Sequence, residues 1–238
     1  MNFLIEAFQF IFDPANWGGS GGIGVRLVEH LWVSLLVVVI AAAIAIPVGF
    51  LIGHTGTGKS IAVIGSGGVR ALPTLGLVTV IALSVGIGLT APIIALVVLA
   101  IPSILAGAYS GFEAIDRRTI DAARAVGRTE WQIVTAVELP LGLPLLMGGL
   151  RSASLQVIST ATLAAYVGGG GLGGFLFTGL RTNDYPQMLA GSILVIALAL
   201  LSEGFFAILE RVTVPAGVRA GLPTSVRARP SRSRATAA

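Results

Sequence analysis

Residues 31–52 read LWVSLLVVVIAAAIAIPVGFLI and contain no charged side chain. A helix rises about 1.5 Å per residue, so this run is long enough to cross the roughly 30 Å hydrocarbon core of a bilayer. The whole chain has the same character, because 55% of its 238 residues are hydrophobic and 11% are charged. Since soluble domains carry about 25% charged residues, this composition excludes an ordinary water-soluble protein and predicts an all-α membrane protein.

Further apolar stretches follow the first span. The stretch 71–112 is uncharged and about twice as long as one crossing requires, so we expect it to fold back at the glycine- and proline-containing segment 86–92. The predicted spans are 31–52, 70–87, 91–111, 145–166 and 185–209. About five transmembrane helices place the two chain termini on opposite sides of the membrane.

Lysine and arginine side chains orient such a chain, because they accumulate on the cytoplasmic side of the membrane. With the C-terminus inside, thirteen of the fifteen Lys and Arg residues lie on the cytoplasmic side, and only Arg26 and Arg181 lie outside. We therefore expect an extracytoplasmic N-terminal segment over 1–30, a transmembrane domain over 31–210, and a basic, disordered cytoplasmic tail over 211–238.

The two terminal segments carry weaker signals. The apolar side chains near the N-terminus share one helical face, which indicates a short interfacial helix, with a disordered terminus as the alternative; they are Phe3, Leu4, Ala7, Phe8 and Ile11. No aromatic residue alternates with the arginines of the tail, which argues against nucleic-acid binding. The chain has no cysteine, so disulfides and thiolate metal sites are excluded.

Residues 53–60 read GHTGTGKS and match the phosphate-loop pattern G-x-x-x-x-G-K-S. That pattern binds phosphate where it follows a buried strand and begins a helix of an α/β domain. Here it follows a membrane span, and no room remains for a sheet. We interpret it as a short, flexible cytoplasmic turn. The histidines His30 and His54 are isolated in the sequence, so we predict no catalytic, cofactor or metal site.

Residues 113–140 read EAIDRRTIDAARAVGRTEWQIVTAVELP. An apolar stripe at helical spacing predicts a surface helix; its members are Ile115, Ile120, Ala123 and Val126. Gly127 is placed to end that helix in a left-handed conformation, Thr129 and Gln132 form a capping box for a second short helix, and Pro140 closes it. A loop with this much order indicates a docking surface; the alternative is an amphipathic helix lying on lipid head groups.

Seven positions of this loop resemble the EAA motif of ABC importer permeases, with Asp in place of the usual Glu and Val in place of the usual Ile: Asp121, Ala122, Ala123, Gly127, Val137, Leu139 and Pro140. Four further stretches are similar to the permease subunits of osmoprotectant importers, which carry glycine betaine, carnitine, choline and related quaternary amines: Arg70-x-x-Pro73, VELPLGLP at 137–144, Gly149-Leu150-Arg151, and AAYVGGGGLG at 164–173.

This resemblance implies a type I ABC importer permease fold and a multi-pass location in the bacterial cytoplasmic membrane. The two short helices would be coupling helices that dock on a separate ATPase, with Ala122 and Ala123 allowing close approach. The chain itself would be no enzyme and would hold no cofactor, since ATP and Mg²⁺ belong to the partner. The implied partners are two ATP-binding subunits, a second identical or homologous permease chain, an extracytoplasmic solute-binding protein and the lipid bilayer.

The alternatives differ in what they transport or whether they transport at all. Methionine importers and those for other small solutes share the fold and the loop motif. An ion-coupled secondary transporter usually needs buried acids and an internal repeat, which this sequence does not clearly show. A membrane scaffold would use the ordered loop to dock some other partner.

The pathway candidates are two aromatic residues and a glycine-rich stretch. Tyr109 and Tyr166 offer aromatic faces that suit a quaternary ammonium, although both also suit anchoring at the membrane interface. The glycines lie in a break near the pathway or in a plain flexible loop; they are Gly168, Gly169, Gly170, Gly171 and Gly173. We expect Arg151 and Glu203, the charged residues within spans, to make pairing or helix-end contacts.

Overall fold

The computed structural model describes residues 2–215 and 217–218, and all regular secondary structure in those residues is helical. The α-helices are α1 (Phe3–Phe12), α2 (Ile23–Thr55), α3 (Lys59–Arg70), α4 (Thr74–Val85), α5 (Thr90–Glu113), α6 (Arg117–Ala125), α7 (Glu130–Ile133), α8 (Leu139–Thr160), α9 (Gly173–Thr182) and α10 (Tyr185–Thr213). Short 3₁₀ segments cover Pro14–Asn16 and Ala161–Val167, and a π-helical turn covers Val134–Glu138. The all-α prediction is confirmed.

Four helical segments are long and apolar enough to cross a membrane: α2, α5, the continuous segment Glu130–Val167, and α10. The pair α3 and α4 forms a fifth candidate, bent by 89°. Four of the predicted spans lie within the four long segments. The reversal predicted at 86–92 is also present, because Gly86 and Gly88 have φ values of 93° and 134° between α4 and α5. About five spans are therefore confirmed, although α2 begins at Ile23, well before the predicted residue 31.

The predicted second span, 70–87, is wrong at its start. α3 ends at Arg70 and α4 begins directly after Pro73. α4 alone is about 18 Å long, which is shorter than the hydrocarbon core, so α3 and α4 together form either a broken span or a re-entrant loop. Pro73 explains the break, because proline removes a backbone donor and disfavours the helical conformation of the residue before it.

α5 is the central helix and packs against α2 on one side and α8 on the other. Small residues make both contacts close. On the α2 side, a Cβ added to Gly49 would lie 2.5 Å from the Cβ of Ala108. Larger side chains pack beside these contacts; the buried cluster includes Val37, Leu96, Ile104, Leu105 and Val157. The three helices α2, α5 and α8 therefore form one rigid core.

α10 lies outside this core and contacts α8, α9 and α1. The predicted N-terminal helix is present, but α10 covers part of its apolar face, because Ala7 and Ile11 pack against Ala190. Leu4 and Phe8 remain exposed. No helix is predicted from the sequence where α9 lies. Beyond Val218, the predicted disordered tail lies outside the described residues.

Candidate functional site

The loop 113–140 begins with α6, whose ends are both fixed by local hydrogen bonds. The backbone N–H of Arg118 donates to Oδ1 of Asp116 at 2.9 Å, which caps the first turn. At the other end Gly127 has φ of 81°, and its N–H donates to the carbonyl oxygen of Arg124 at 2.9 Å. The predicted left-handed stop at Gly127 is confirmed. We call the segment 116–133, which contains α6, this bend and α7, the elbow.

α7 begins with the predicted capping box. The N–H of Thr129 donates to Oε1 of Gln132 at 3.0 Å, and the N–H of Gln132 donates to Oγ1 of Thr129 at 3.4 Å. The prediction that Pro140 closes this helix is wrong, since helix continues without a break from Glu130 to Val167.

The position of Pro140 and the residues just before it explain why the helix continues. This proline lies in the first turn of α8, where its missing N–H is tolerated. Just before it, the N–H of Leu139 donates to the carbonyl oxygen of Val134, so one π-helical turn absorbs the irregularity. The elbow is therefore joined to α8 by helix rather than by a loop.

The seven motif residues divide into an exposed group and a packed group. Asp121, Ala122 and Gly127 are exposed. Ala123 is buried with Ile120 and Ile133 in a small core inside the elbow, and Val137 packs against it. The methyl group of Ala123 thus packs α6 against α7, and its close approach to a partner stays a prediction. Leu139 and Pro140 are half-buried at the start of α8.

Two exposed apolar residues flank the bend. Val126 is 77% exposed and Trp131 is 74% exposed, and Val126 does not join the stripe that its spacing predicts. The two side chains lie on either side of the Gly127 bend, in the loop where the sequence predicts a docking surface. Trp131 could have been noticed in the sequence as an aromatic residue in an otherwise polar loop.

A network of charged and polar side chains joins the elbow to the end of α2. Arg124 donates to both carboxylate oxygens of Glu130, at 2.8 Å and 3.1 Å. Glu130 lies 3.3 Å from Nε2 of His54, and Nδ1 of His54 lies 2.7 Å from Oε2 of Glu138. The Glu130 carboxylate raises the pKa of the Arg124 guanidinium. Arg124 also pairs with Asp121 at 3.6 Å.

The stretch 53–60 contains a short turn between two helices, as predicted, and residues 56–58 form that turn. α2 ends at Thr55, α3 begins at Lys59, and no strand occurs among the described residues. Nζ of Lys59 donates to the carboxylate of Glu113 at the end of α5. In the described part of the chain, no group of three or more His, Asp and Glu side chains is arranged to hold a metal ion.

The two tyrosines are not brought together. Tyr109 lies near the C-terminal end of α5, where a Cβ on Gly53 would meet its carbonyl oxygen at 2.8 Å. Tyr166 lies in the 3₁₀ segment beside the α4–α5 turn, at the opposite end of α5, and its ring centroid is 5.7 Å from that of Phe177. Tyr166 is 55% exposed.

The glycine-rich stretch is held by α2. Glu29 accepts a hydrogen bond from the N–H of Gly171 at 2.8 Å and pairs with Arg26 at 3.4 Å. Gly171 has φ of 75°, and Gly168 and Gly170 are also left-handed. Gly173 begins α9. The stretch is therefore a defined connection between the 3₁₀ segment and α9.

The two charged residues within the spans pair with each other. Arg151 of α8 donates from Nε to a carboxylate oxygen of Glu203 of α10 at 2.7 Å. The predicted pairing contact is confirmed, and it joins the outer helix α10 to the core.

Comparison with known proteins gives one consistent result. A family model described as a binding-protein-dependent transport system inner membrane component matches residues 28–214. The chain is 32% identical over 192 residues to the glycine betaine/carnitine/choline transport system permease protein OpuCB of Bacillus subtilis (strain 168), which covers 80% of this chain and 88% of that protein.

Two further similarities agree with this. The chain is 34% identical over 191 residues to the carnitine transport permease protein OpuCB of Listeria monocytogenes, with 80% of this chain and 88% of that protein covered. Among solved structures, the inward-facing MetNI methionine ABC transporter matches with a TM-score of 0.70 and 26% identity, covering 81% of this chain and 97% of that chain.

Proposed function

The chain belongs to the family of binding-protein-dependent transport system inner membrane components, and from this premise we propose that it is the permease through which osmoprotectants, namely the quaternary amines glycine betaine, carnitine and choline and also proline, enter a bacterial cell. It is a multi-pass inner-membrane protein and the transport subunit of an ABC importer, not an enzyme. One observation supports the substrate class: relatives that cover 80% of this chain are permeases of glycine betaine, carnitine or choline systems.

The elbow receives an ATP-binding subunit. Its exposed surface combines the small residues Ala122 and Gly127 with the apolar side chains of Val126 and Trp131, a combination that suits a cleft in a partner protein. Because one continuous helix runs from Glu130 to Val167, a displacement of the elbow is transmitted into α8. ATP and Mg²⁺ bind to the partner, which supplies the free energy for transport.

The solute route lies on a face of this chain that a second permease chain completes. α5 touches α2 and α8 at backbone distance, so no solute passes between these helices. The assembly then contains two identical or homologous permeases, two ATP-binding subunits and an extracytoplasmic solute-binding protein. The distribution of Lys and Arg supports an N-terminus outside and a C-terminus inside.

Reconstitution tests the proposal directly. Proteoliposomes that contain this chain, its ATP-binding subunit and its binding protein should take up radiolabelled glycine betaine only when ATP is enclosed. Uptake driven by an ion gradient without ATP, and abolished by an ionophore, would contradict the proposal and support an ion-coupled carrier.

Methionine is the second candidate solute, because the matching solved structure is a methionine transporter. The same proteoliposomes should be given radiolabelled glycine betaine and radiolabelled methionine in separate assays. ATP-dependent uptake of methionine alone would retain the importer and overturn the quaternary-amine assignment.

A further inference from the structure

The stretch 53–60 matches a phosphate loop in sequence, yet two of its side chains, His54 and Lys59, pair with carboxylates elsewhere in the chain. His54 lies in the last turn of α2, and its Nδ1 is 2.7 Å from Oε2 of Glu138, across 84 positions of the chain. Its second ring nitrogen lies 3.3 Å from Glu130. Each nitrogen of one imidazole therefore faces a carboxylate on the segment that runs from the elbow into α8.

Of the two contacts that His54 makes, the one with Glu138 contributes more, because Glu138 is buried. Glu138 is 1% exposed and lies in the π-helical turn just before α8. A carboxylate taken out of water is stable only where a partner hydrogen-bonds to it. His54 supplies this partner, and it lies on a different helix, so the contact fixes the end of α2 to the start of α8.

A second contact from the same turn reaches the other end of the loop. Lys59 donates to Glu113, the last residue of α5. Both side chains are about half exposed, so this pair contributes less than the buried one. Together the two contacts tie the turn to the chain on both sides of the elbow.

We propose that the stretch 53–60 is a brace for the elbow. Through His54, and secondarily Lys59, this stretch makes the cytoplasmic end of α2 move together with the elbow and α8. His54 is a positioning residue that transmits displacement and binds no phosphate. The inference rests on the proposed function, because the elbow has to be the part that the ATPase moves.

The test measures coupling in the complete complex in proteoliposomes, as radiolabelled glycine betaine taken up per ATP hydrolysed. His54→Ala should lower this ratio by about tenfold, which lies within the range typical of a coupling free energy between two sites. Ser60→Ala is the control, because Ser60 is exposed and lies outside both ion pairs. A ratio in His54→Ala equal to wild type overturns the brace, and an equal loss in Ser60→Ala would instead indicate a true phosphate loop.

A double variant guards against misfolding. In His54→Ala the buried charge of Glu138 has no partner, which can prevent assembly of the complex. Adding Glu138→Gln removes that charge, so the double variant should assemble while its coupling ratio stays low. Recovery of a wild-type ratio in the double variant overturns the brace, since the contact would then serve only stability.

A readout without transport separates this inference from the proposed function. Hydrogen–deuterium exchange of the purified full chain should rise in His54→Ala over both 50–57 and 134–140. Absence of ATP-dependent uptake by the wild-type complex defeats the proposed function, whereas unchanged exchange in both segments defeats the brace.

Discussion

Gly107 of α5 and Gly149 of α8 touch through their backbones: a Cβ added to Gly149 would lie 2.9 Å from the Cα of Gly107 and 2.8 Å from the carbonyl oxygen of Ser103. Side chains do not separate the two helices at this point. The contact lies along the helix that carries motion from the elbow, so α8 and α5 are expected to move as one body.

Gly149→Ala should therefore destabilise the protein, because the added methyl group has to push α8 away from α5. Overpacking of this kind costs roughly 1–3 kcal/mol. Gly148→Ala is the matched control, since a Cβ there meets nothing within 4 Å and alanine favours a helix by about 1 kcal/mol over glycine. Thermal unfolding in detergent should separate the two variants, and equal unfolding temperatures would contradict the predicted contact.

The ion pair between Arg151 and Glu203 should stabilise the packing of α10 on α8. Removing one charge, as in Glu203→Ala, leaves the other without its partner. Because both side chains are about one-third exposed, we expect a cost of roughly 1 kcal/mol. Exchanging the charges, as in Arg151→Glu with Glu203→Arg, should recover most of that loss. Thermal unfolding of the two single variants and the exchanged pair measures this; an exchanged pair no more stable than the single variants would argue against a direct contact.

Features of the fold could be predicted from the sequence where their cause lies in neighbouring residues. An uncharged run such as 31–52 has few alternatives to a span, because only a helix satisfies its backbone groups in hydrocarbon. Gly127 and the Thr129–Gln132 capping box were predictable for the same reason, as each depends on residues at most a few positions away. The resemblance of the loop to a known motif then supplied the family.

Contacts between distant residues were not predictable in this way. His54 and Glu138 are 84 positions apart, and only the packing of α2 beside α8 brings them together. The sequence around Ala123 is equally compatible with a side chain that faces a partner and with one that faces the core of the elbow. Pro140 is compatible with both the end of one helix and the first turn of the next, and the fold selects the second.

At Gly127, a substitution should be tolerated when the new residue adopts a left-handed backbone conformation easily. Space within this chain is not limiting, because a Cβ there meets nothing within 4 Å, whereas φ is 81°. Asparagine adopts left-handed conformations at low cost, whereas a β-branched residue does not. We expect Gly127→Val to lower ATP-dependent uptake by tenfold or more and Gly127→Asn to lower it much less. If both variants lose uptake equally, then space at a partner surface, and not backbone strain, determines which residues position 127 accepts.

Glu29 should control how firmly the glycine-rich stretch is held. Its carboxylate accepts the N–H of Gly171 at 2.8 Å, and hydrogen bonds to charged groups contribute about 1.5–3 kcal/mol. Glu29→Ala should therefore speed hydrogen–deuterium exchange of the amides in 168–172 by about tenfold or more, since each 1.4 kcal/mol is a factor of ten. Glu29→Gln keeps an acceptor oxygen and should change exchange far less. Exchange that is the same in wild type and Glu29→Ala would show that the stretch is held by its own backbone turns, and its glycines would then serve close packing alone.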